Sequence, residues 1–445
     1  MRDEHIKIIS TVGPASDDPR ILSKMVDLGV DIFRLNLSHN SLDYHINLIK
    51  IIKSLKTKSG KKPVILADLP GPKFRIGELK SPLSIRRNLI YSLGPQGDIP
   101  LDYEISKELS LEHPIRLSDG KLLLRPIRKQ GNKVLVKAMD DFILLGNQSI
   151  IQKGLEYHGK YPTDRDRKLV SSLLDVGIDI FGLSFVSSET DVRNMRKLVG
   201  DALLVAKIER KSAVDNFSSI IRSADAVMVA RGDLGLNLDI SEVPILQRRM
   251  IYEAHEINKP VIVATQILES MTDQPSPTRA EADDIFAAVT EGADALMLSE
   301  ETAIGKYPLL AVRALRNLGD RFSEVEVERN FTIKDENDAV VASAVELLKK
   351  TGIKHVIVIT EAGISAFRLS RYDLNVKIIA ITNSLSTVEK LTFGRNIVPY
   401  YFKDLREGLD RIKGELSRAG ISKAVLVSGE FGIKDSTTKV EVIYT

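Results

Sequence analysis

The sequence contains no cysteine and no tryptophan. Without thiols it can form no disulfide, no thiolate metal site and no cysteine nucleophile. That fits a reducing cytoplasm, or a hot habitat that selects against labile residues. There is little surplus of either charge: 63 basic against 60 acidic residues leave +3 over 445 residues. With no long block of like charge, neither a nucleic-acid tail nor a membrane-surface tail is expected. No apolar run approaches membrane-spanning length, and Met1 leads straight into Arg2-Asp3-Glu4-His5 without an apolar leader core. A cytoplasmic location is the expectation. Seven histidines, at 5, 39, 45, 113, 158, 255 and 355, show no H-x-H or H-E-x-x-H spacing, which argues against a zinc hydrolase. The G-x-x-x-x-G-K-[ST] phosphate loop is missing as well.

What is present is an ordinary globular composition, 43% hydrophobic and 28% charged. At about 100–200 residues per domain, the length suggests two to four domains. Short apolar runs at residues 6–10, 30–35 and 63–68 read as strands separated by amphipathic helices. After them, Pro70-Gly71-Pro72 cannot start the next helix cleanly. Residues from about 71 to 161 are instead β-rich, with short runs (83–85, 88–91, 115–117, 121–126 and 133–139) between turn residues. The alternation resumes with strands at 179–184, 203–208, 225–230, 260–264 and 294–298, and a last helix near 309–322. Eight parallel units predict a closed (β/α)8 TIM barrel interrupted by a small inserted β-barrel, with the active site at the carboxyl ends of the strands. Residues 337–445 begin a second α/β alternation, a compact domain of about a hundred residues.

The stretch 203–233 organises the rest. Its two halves are apolar runs that end in charge, first at Lys207 and Glu209, then at Asp233 after Gly232. Strand side chains alternate, so Lys207 and Glu209 share a face. Two carboxylates with room for water suit Mg2+ or Mn2+, which takes its other ligands from substrate oxygens. A lysine beside them suits negative charge developing on a phosphoryl group or an enolate. Arg34, Asn36 and Ser38 alternate onto one face at the end of the second strand if the extended form persists to the rim. An arginine there calls for an anionic partner.

The segment Leu203-Leu204-Val205-Ala206-Lys207-Ile208-Glu209-Arg210 resembles the signature of the pyruvate kinase family. So do Ser10-Thr11-Val12-Gly13-Pro14-Ala15-Ser16, Arg34-Leu35-Asn36-Leu37-Ser38-His39, Ala230-Arg231-Gly232-Asp233-Leu234-Gly235, Ala264-Thr265-Gln266-Ile267 and Pro277-Thr278-Arg279-Ala280-Glu281. The match runs in order along residues 1–310; the C-terminal third resembles the family more in layout than in residues. The resemblance implies a barrel domain (1–70 and 162–330), an inserted lid (71–161) and a C-terminal domain for regulation or oligomerisation (331–445). It implies transfer of a phosphoryl group from phosphoenolpyruvate to ADP in glycolysis, with Mg2+ or Mn2+, by a cytoplasmic homotetramer. By resemblance, Glu209 and Asp233 are the metal ligands, and Lys207, Arg34 and Thr265 are catalytic. Gly232 and Ser184 join them in binding phosphoenolpyruvate. Thr11, Pro14, Asn36, His39, Arg75 and Lys153 fall where the family contacts the nucleotide, and Asp119 matches a lid aspartate.

Three departures stand out. Many members carry Thr-Lys-Gly-Pro-Glu after the third-strand aspartate and require K+ bound near residues equivalent to Asn36, Ser38 and Asp68. Here Leu69 replaces the threonine and Lys73 the glutamate, and an ammonium can supply the missing positive charge; K+ independence is expected. Ser187 stands where a basic residue is usual. Glu361, in the loop that resembles the family's effector-phosphate loop, disfavours fructose 1,6-bisphosphate. Two other readings are a Mg2+-dependent barrel lyase acting on an enolate and a non-catalytic metabolite sensor. Neither accounts for a lysine among the carboxylates beneath an inserted lid.

Overall fold

A computed structural model describes residues 6–55, 63–157, 159–178, 180–429 and 437–445. Residues 1–5, His158 and Asp179, each drawn on above, lie outside the described residues. Eight strands close into a parallel barrel: β1 Lys7–Val12, β2 Ile32–Asn36, β3 Val64–Asp68, β4 Ile180–Leu183, β5 Leu203–Ile208, β6 Ala226–Ala230, β7 Val261–Ala264 and β8 Ala295–Leu298. Each pairs with its successor, and β8 returns to β1 with Ala295 opposite Lys7. The helices between them start where the sequence supplies caps. Asp18 accepts the Arg20 N–H ahead of the helix Pro19–Asp27, and reciprocal capping boxes open Asp164–Asp175 and Arg279–Glu291.

The two-residue period of the strands decides what reaches the barrel's interior. Ile9, Ile32, Leu66, Leu203, Val205 and Met228 pack inside, while Leu204, Ala206 and Ile208 turn outward onto the helices. The next inward positions are Thr11 after Ile9, Arg34 after Ile32, Asp68 after Leu66 and Lys207 after Val205. The top layer of the barrel is therefore polar because the apolar layers below it are in register. At the other end, Phe393 of the C-terminal domain joins the inner cluster. There Lys7 donates to the Ile397 carbonyl at 2.8 Å.

The insertion after β3 has its own apolar core, running from Ile76 to Leu155. A six-stranded sheet orders Ile150–Gln152, Ile115–Leu117, Leu122–Gln130, Lys133–Ala138, Ile90–Gly94 and Ile99–Pro100, and Phe142–Leu144 pairs with Leu83–Ile85. The strands Ile99–Pro100, Phe142–Leu144 and Ile150–Gln152 were not expected from the sequence, and two further details differ. A short helix, Tyr103–Glu108, is present, started by Asp102, which accepts the Glu104 N–H. The strand expected at 88–91 begins at Ile90, because Asn88 holds a turn at φ 69°. The C-terminal domain is a five-stranded sheet in the order Ile397–Tyr401, Lys377–Thr382, His355–Ile359, Lys423–Ser428 and Lys439–Tyr444, the last strand antiparallel.

Candidate active site

Asp68, buried at the end of β3, is the hub of the polar layer. Arg34 donates to its Oδ2 from Nε at 2.8 Å and again from Nη2. The remaining Arg34 nitrogen, Nη1, reaches Thr11 Oγ1 at 3.0 Å. Lys207 Nζ lies 3.1 Å from Asp68, 2.7 Å from Ser184 Oγ and 3.0 Å from Glu209 Oε1. Glu209 Oε2 accepts the Phe185 N–H at 2.6 Å. A side chain at Gly182 would put its Cβ 2.9 Å from Asp68 Oδ1, so this glycine makes room for the carboxylate.

Burying ions costs several kcal/mol each, so this layer is not explained by stability alone. The pairing sets the charges. Burial disfavours the Asp68 carboxylate, but Lys207 and Arg34 outweigh it and hold its pKa below the ordinary value. Burial likewise disfavours the Lys207 ammonium, and Asp68 with Glu209 more than restores it. Glu209 goes the other way: burial, with Asp233 and Asp68 adding like charge, raises its pKa despite Lys207. A cation arriving between Glu209 and Asp233 would relieve that crowding.

Asp233 sits in the first turn of the helix Arg231–Asn237, which directly follows β6. The sequence reading placed it just past the strand; the structure puts it on a helix. Asn237 fixes the pair by donating Nδ2 to the Glu209 carbonyl at 3.0 Å and the Asp233 carbonyl at 2.8 Å. Gly232 N donates to Thr265 Oγ1 at 2.7 Å. Thr265 holds φ 68°, rare for a β-branched residue. Arg231 ties that turn down, donating to the Thr265 carbonyl at 2.8 Å while pairing with Asp284 at 2.7 Å.

Lys73 reaches in from the start of the insertion. Its ammonium lies 2.7 Å from Asp119 Oδ1 of the inserted domain and 3.6 Å from Asp233 Oδ1. It also stands 5.5 Å from the centre of the Phe185 ring, whose other cationic neighbour is Arg210 at 4.8 Å. Burial pulls the Lys73 pKa down, but Asp233 and Asp119 outweigh it and keep the group charged. Leu69 beside it is buried. Asn36 Oδ1 accepts the Ser38 N–H at 3.1 Å, so Asn36 and Ser38 form a tight turn at the β2 rim.

The other expected residues lie further out. Thr11 belongs to the Arg34 network, and Pro14 to the loop where Gly13 packs against Ala303. His39, exposed at the rim, has its pKa lowered, first by desolvation and then by Arg75. Arg75 Nη1 donates to the Asn147 carbonyl. Lys153 pairs with Asp239 at 3.8 Å, apart from the Asp68–Lys207–Glu209 cluster. Sequence reasoning missed Phe185, Asn237, Arg231 and Tyr161, whose hydroxyl donates to the Ser184 carbonyl at 3.2 Å. Arg231 and Phe185 lay in stretches that resemble the family and could have flagged them; Asn237 and Tyr161 did not.

Among the described residues no group of three or more His, Asp or Glu side chains is gathered as a ready-made metal cage, and no helix is long and apolar enough to cross a membrane. The polar layer offers paired positive charge, a buried carboxylate at Glu209, a partly exposed one at Asp233 and a hydroxyl at Thr265.

Comparison with known proteins agrees with this geometry. Residues 3–312 match the family model "Pyruvate kinase, barrel domain", and residues 338–440 match "Pyruvate kinase, alpha/beta domain". The chain is 34% identical to the pyruvate kinase of Thermotoga maritima over 98% of both chains. It is 33% identical to that of Thermococcus litoralis over 88% of both. With the pyruvate kinase of Thermoplasma acidophilum it shares 34% identity over 95% of this chain and 79% of the relative. On these matches, spanning both the barrel and the C-terminal domain, the chain belongs to the pyruvate kinase family and is a phosphotransferase.

Proposed function

We propose that this enzyme moves the phosphoryl group of phosphoenolpyruvate to ADP, giving pyruvate and ATP, with Mg2+ or Mn2+ and without K+. The observation that carries the reading is the convergence of Lys207 and Arg34 at the barrel rim beside Glu209 and Asp233. Phosphoryl transfer needs little covalent help from the protein; it needs positioned positive charge.

Glu209 and Asp233 fit a hard divalent cation, since both present oxygen only and Asp233 is at an open rim. When bound, such an ion would neutralise charge on the phosphate and carboxylate oxygens of the substrate. The residues themselves do the rest. Arg34 and Lys207 leave Asp68 as far as needed to receive the developing charge on the transferring group. Gly232 donates its N–H to Thr265 Oγ1, and the Thr265 hydroxyl is our candidate for the route by which the enolate carbon gains its proton. Lys73 supplies from the chain the positive charge that K+ gives other family members, and Leu69 removes the hydroxyl such an ion would use.

We place the enzyme in the cytoplasm, in keeping with its lack of cysteine. The family resemblance is the ground for expecting a homotetramer; the exposed apolar side chains Ile240, Ile245 and Tyr252 on the barrel and Tyr444 on the outer strand of the C-terminal sheet leave surface for contacts between copies. The reading is tested by following pyruvate from phosphoenolpyruvate and ADP as Mg2+ is titrated. Glu209→Gln should demand far more Mg2+; activity indifferent to both the metal and this substitution would refute the assignment.

A further inference from the structure

A cavity of about 490 Å³ opens beside the hinge of the inserted domain, away from the polar layer of the barrel. Its walls include Lys160 and Tyr161 from the segment that leaves the insertion, Arg167 of the helix Asp164–Asp175, and Asp191, Asn194 and Lys197 of the helix Glu189–Val199. Such a volume holds a small metabolite.

The charges in it are unequal. Among the described residues that line it, Lys160, Arg167 and Lys197 are cationic and Asp191 alone is anionic. The Asp191 carboxylate is already engaged, accepting the Ser187 N–H at 2.7 Å and the Ser188 N–H at 3.0 Å as part of a helix cap. Among the described residues, the ion pairs on its helix draw on other residues: Arg193 pairs with Glu189, and Arg196 with Asp225. Among the described residues, three exposed cations thus line one cavity with no carboxylate within ion-pair distance of them. They come from both sides of the hinge, one from the insertion and two from the barrel helices.

The hinge side of the cavity is wired to the active site. Asn194 Nδ2 donates to the Tyr161 carbonyl at 3.4 Å, and the Tyr161 hydroxyl donates to the Ser184 carbonyl. Ser184 Oγ in turn accepts from Lys207 at 2.7 Å. The segment entering the insertion meets the same carbonyl, since a Cβ on Gly71 would lie 2.3 Å from Ser184 O. Both connections to the inserted domain therefore rest on Ser184.

We infer that this cavity binds a phosphate monoester, held by Lys160 from the insertion and by Arg167 and Lys197 from the barrel, and that its occupancy stiffens the hinge. An anion there would bridge exposed cations that the two sides of the hinge contribute to one cavity. The consequence for catalysis, a lower KM for ADP through a better-fixed lid, rests on the kinase reading above; binding itself does not.

The test uses hydrogen exchange on the full-length protein with glycerol 2-phosphate as the probe and glycerol as its neutral counterpart. At probe about tenfold above its Kd, amides of residues 159–161 and 189–199 should exchange about tenfold more slowly, since only the closed form binds. Arg167→Gln with Lys197→Gln should abolish that protection, as should Lys160→Gln alone; glutamine keeps helix propensity and adds no charge at a helix end. Any protection around Arg34 and Lys207 from the probe entering the active site should survive in these variants. Protection by glycerol alone, protection unchanged in the variants, or none near the hinge would each overturn the proposal. If hinge protection appears but no pyruvate is formed, the site stands and the kinase reading falls.

Discussion

Lys73 Nζ stands 3.6 Å from Asp233 Oδ1, so an ammonium of the chain itself neighbours one of the two proposed metal ligands. On its far side the same group holds Asp119 of the inserted domain at 2.7 Å. This one side chain thus brings positive charge to the rim and a contact to the lid. Reversing its charge should therefore do more than weaken a surface pair. With Lys73→Glu and Leu69→Thr together, activity in K+-free buffer should fall about a hundredfold, the usual scale for losing one preorganised charge. Adding K+ should restore much of it. A double variant that gains no dependence on K+ would remove the basis for the substitution argument.

Lys207 is buried between two carboxylates, so its loss should register twice. Lys207→Met should lower the rate of phosphoryl transfer about a thousandfold while phosphoenolpyruvate still binds. It should also cost about 3 kcal/mol of stability, because Glu209 loses its cation in a buried site and Asp68 keeps only Arg34. Kinetics and denaturant unfolding on the same preparation check both. Undiminished transfer would mean that the ammonium is structural.

Thr265 separates activity from stability in a different way. Its φ of 68° costs a threonine about 1–3 kcal/mol, which glycine would not pay. Thr265→Gly should therefore unfold at nearly the wild-type temperature, the relieved strain offsetting the lost Gly232 hydrogen bond. Its turnover should nevertheless drop about a hundredfold if the hydroxyl serves the proton route. A parallel fall in stability and rate would assign Thr265 to architecture alone.

Lys259 gives a pH dependence far from the active site. Burial, with Lys390 adding like charge, takes its pKa from the ordinary 10.5 down to about 8. Between these values the unfolded chain holds a proton that the folded chain has released, so stability rises with pH across that window. Compared with Lys259→Met, the wild type should gain stability from pH 8 to pH 10, by at most about 1.4 kcal/mol per unit. Urea midpoints at several pH values read the difference. A flat difference would show that the group keeps its ordinary pKa.

The C-terminal loop around Glu361 bears on regulation. Its backbone is fixed by Thr387 Oγ1, which donates to the Glu361 carbonyl at 2.6 Å; if this is the effector-phosphate loop that the resemblance implies, the Glu361 carboxylate brings a like charge to it. Fructose 1,6-bisphosphate should leave the KM for phosphoenolpyruvate unchanged. Tight, activating binding in a titration would contradict this.

The barrel was legible in the sequence because its strands are short apolar runs in a fixed rhythm with helices, and because charge appears where each run ends. Lys207 and Glu209 could be assigned to one face from alternation alone. The role of Asp68 could not. It ends an apolar run like any other acidic strand end, and only the register that places it opposite Asn36, next to Arg34 and across from Lys207, makes it a hub. Phe185 was hidden for a related reason: what matters is its backbone N–H to Glu209 and a φ of 57°, neither of which a side-chain pattern reveals. The contacts of Lys73 with Asp119 and Asp233 join residues far apart in the chain. The sequence could indicate the charge but not its two partners.

The most direct measurement is the rate of pyruvate formation from phosphoenolpyruvate and ADP with Mg2+, in buffer freed of K+. Full activity, unchanged when K+ is added, is the expected result and would support both the reaction and the role given to Lys73. Activity that appears only after K+ is added would keep the reaction and discard the lysine's role, and folded protein inactive in both buffers would contradict the reaction itself.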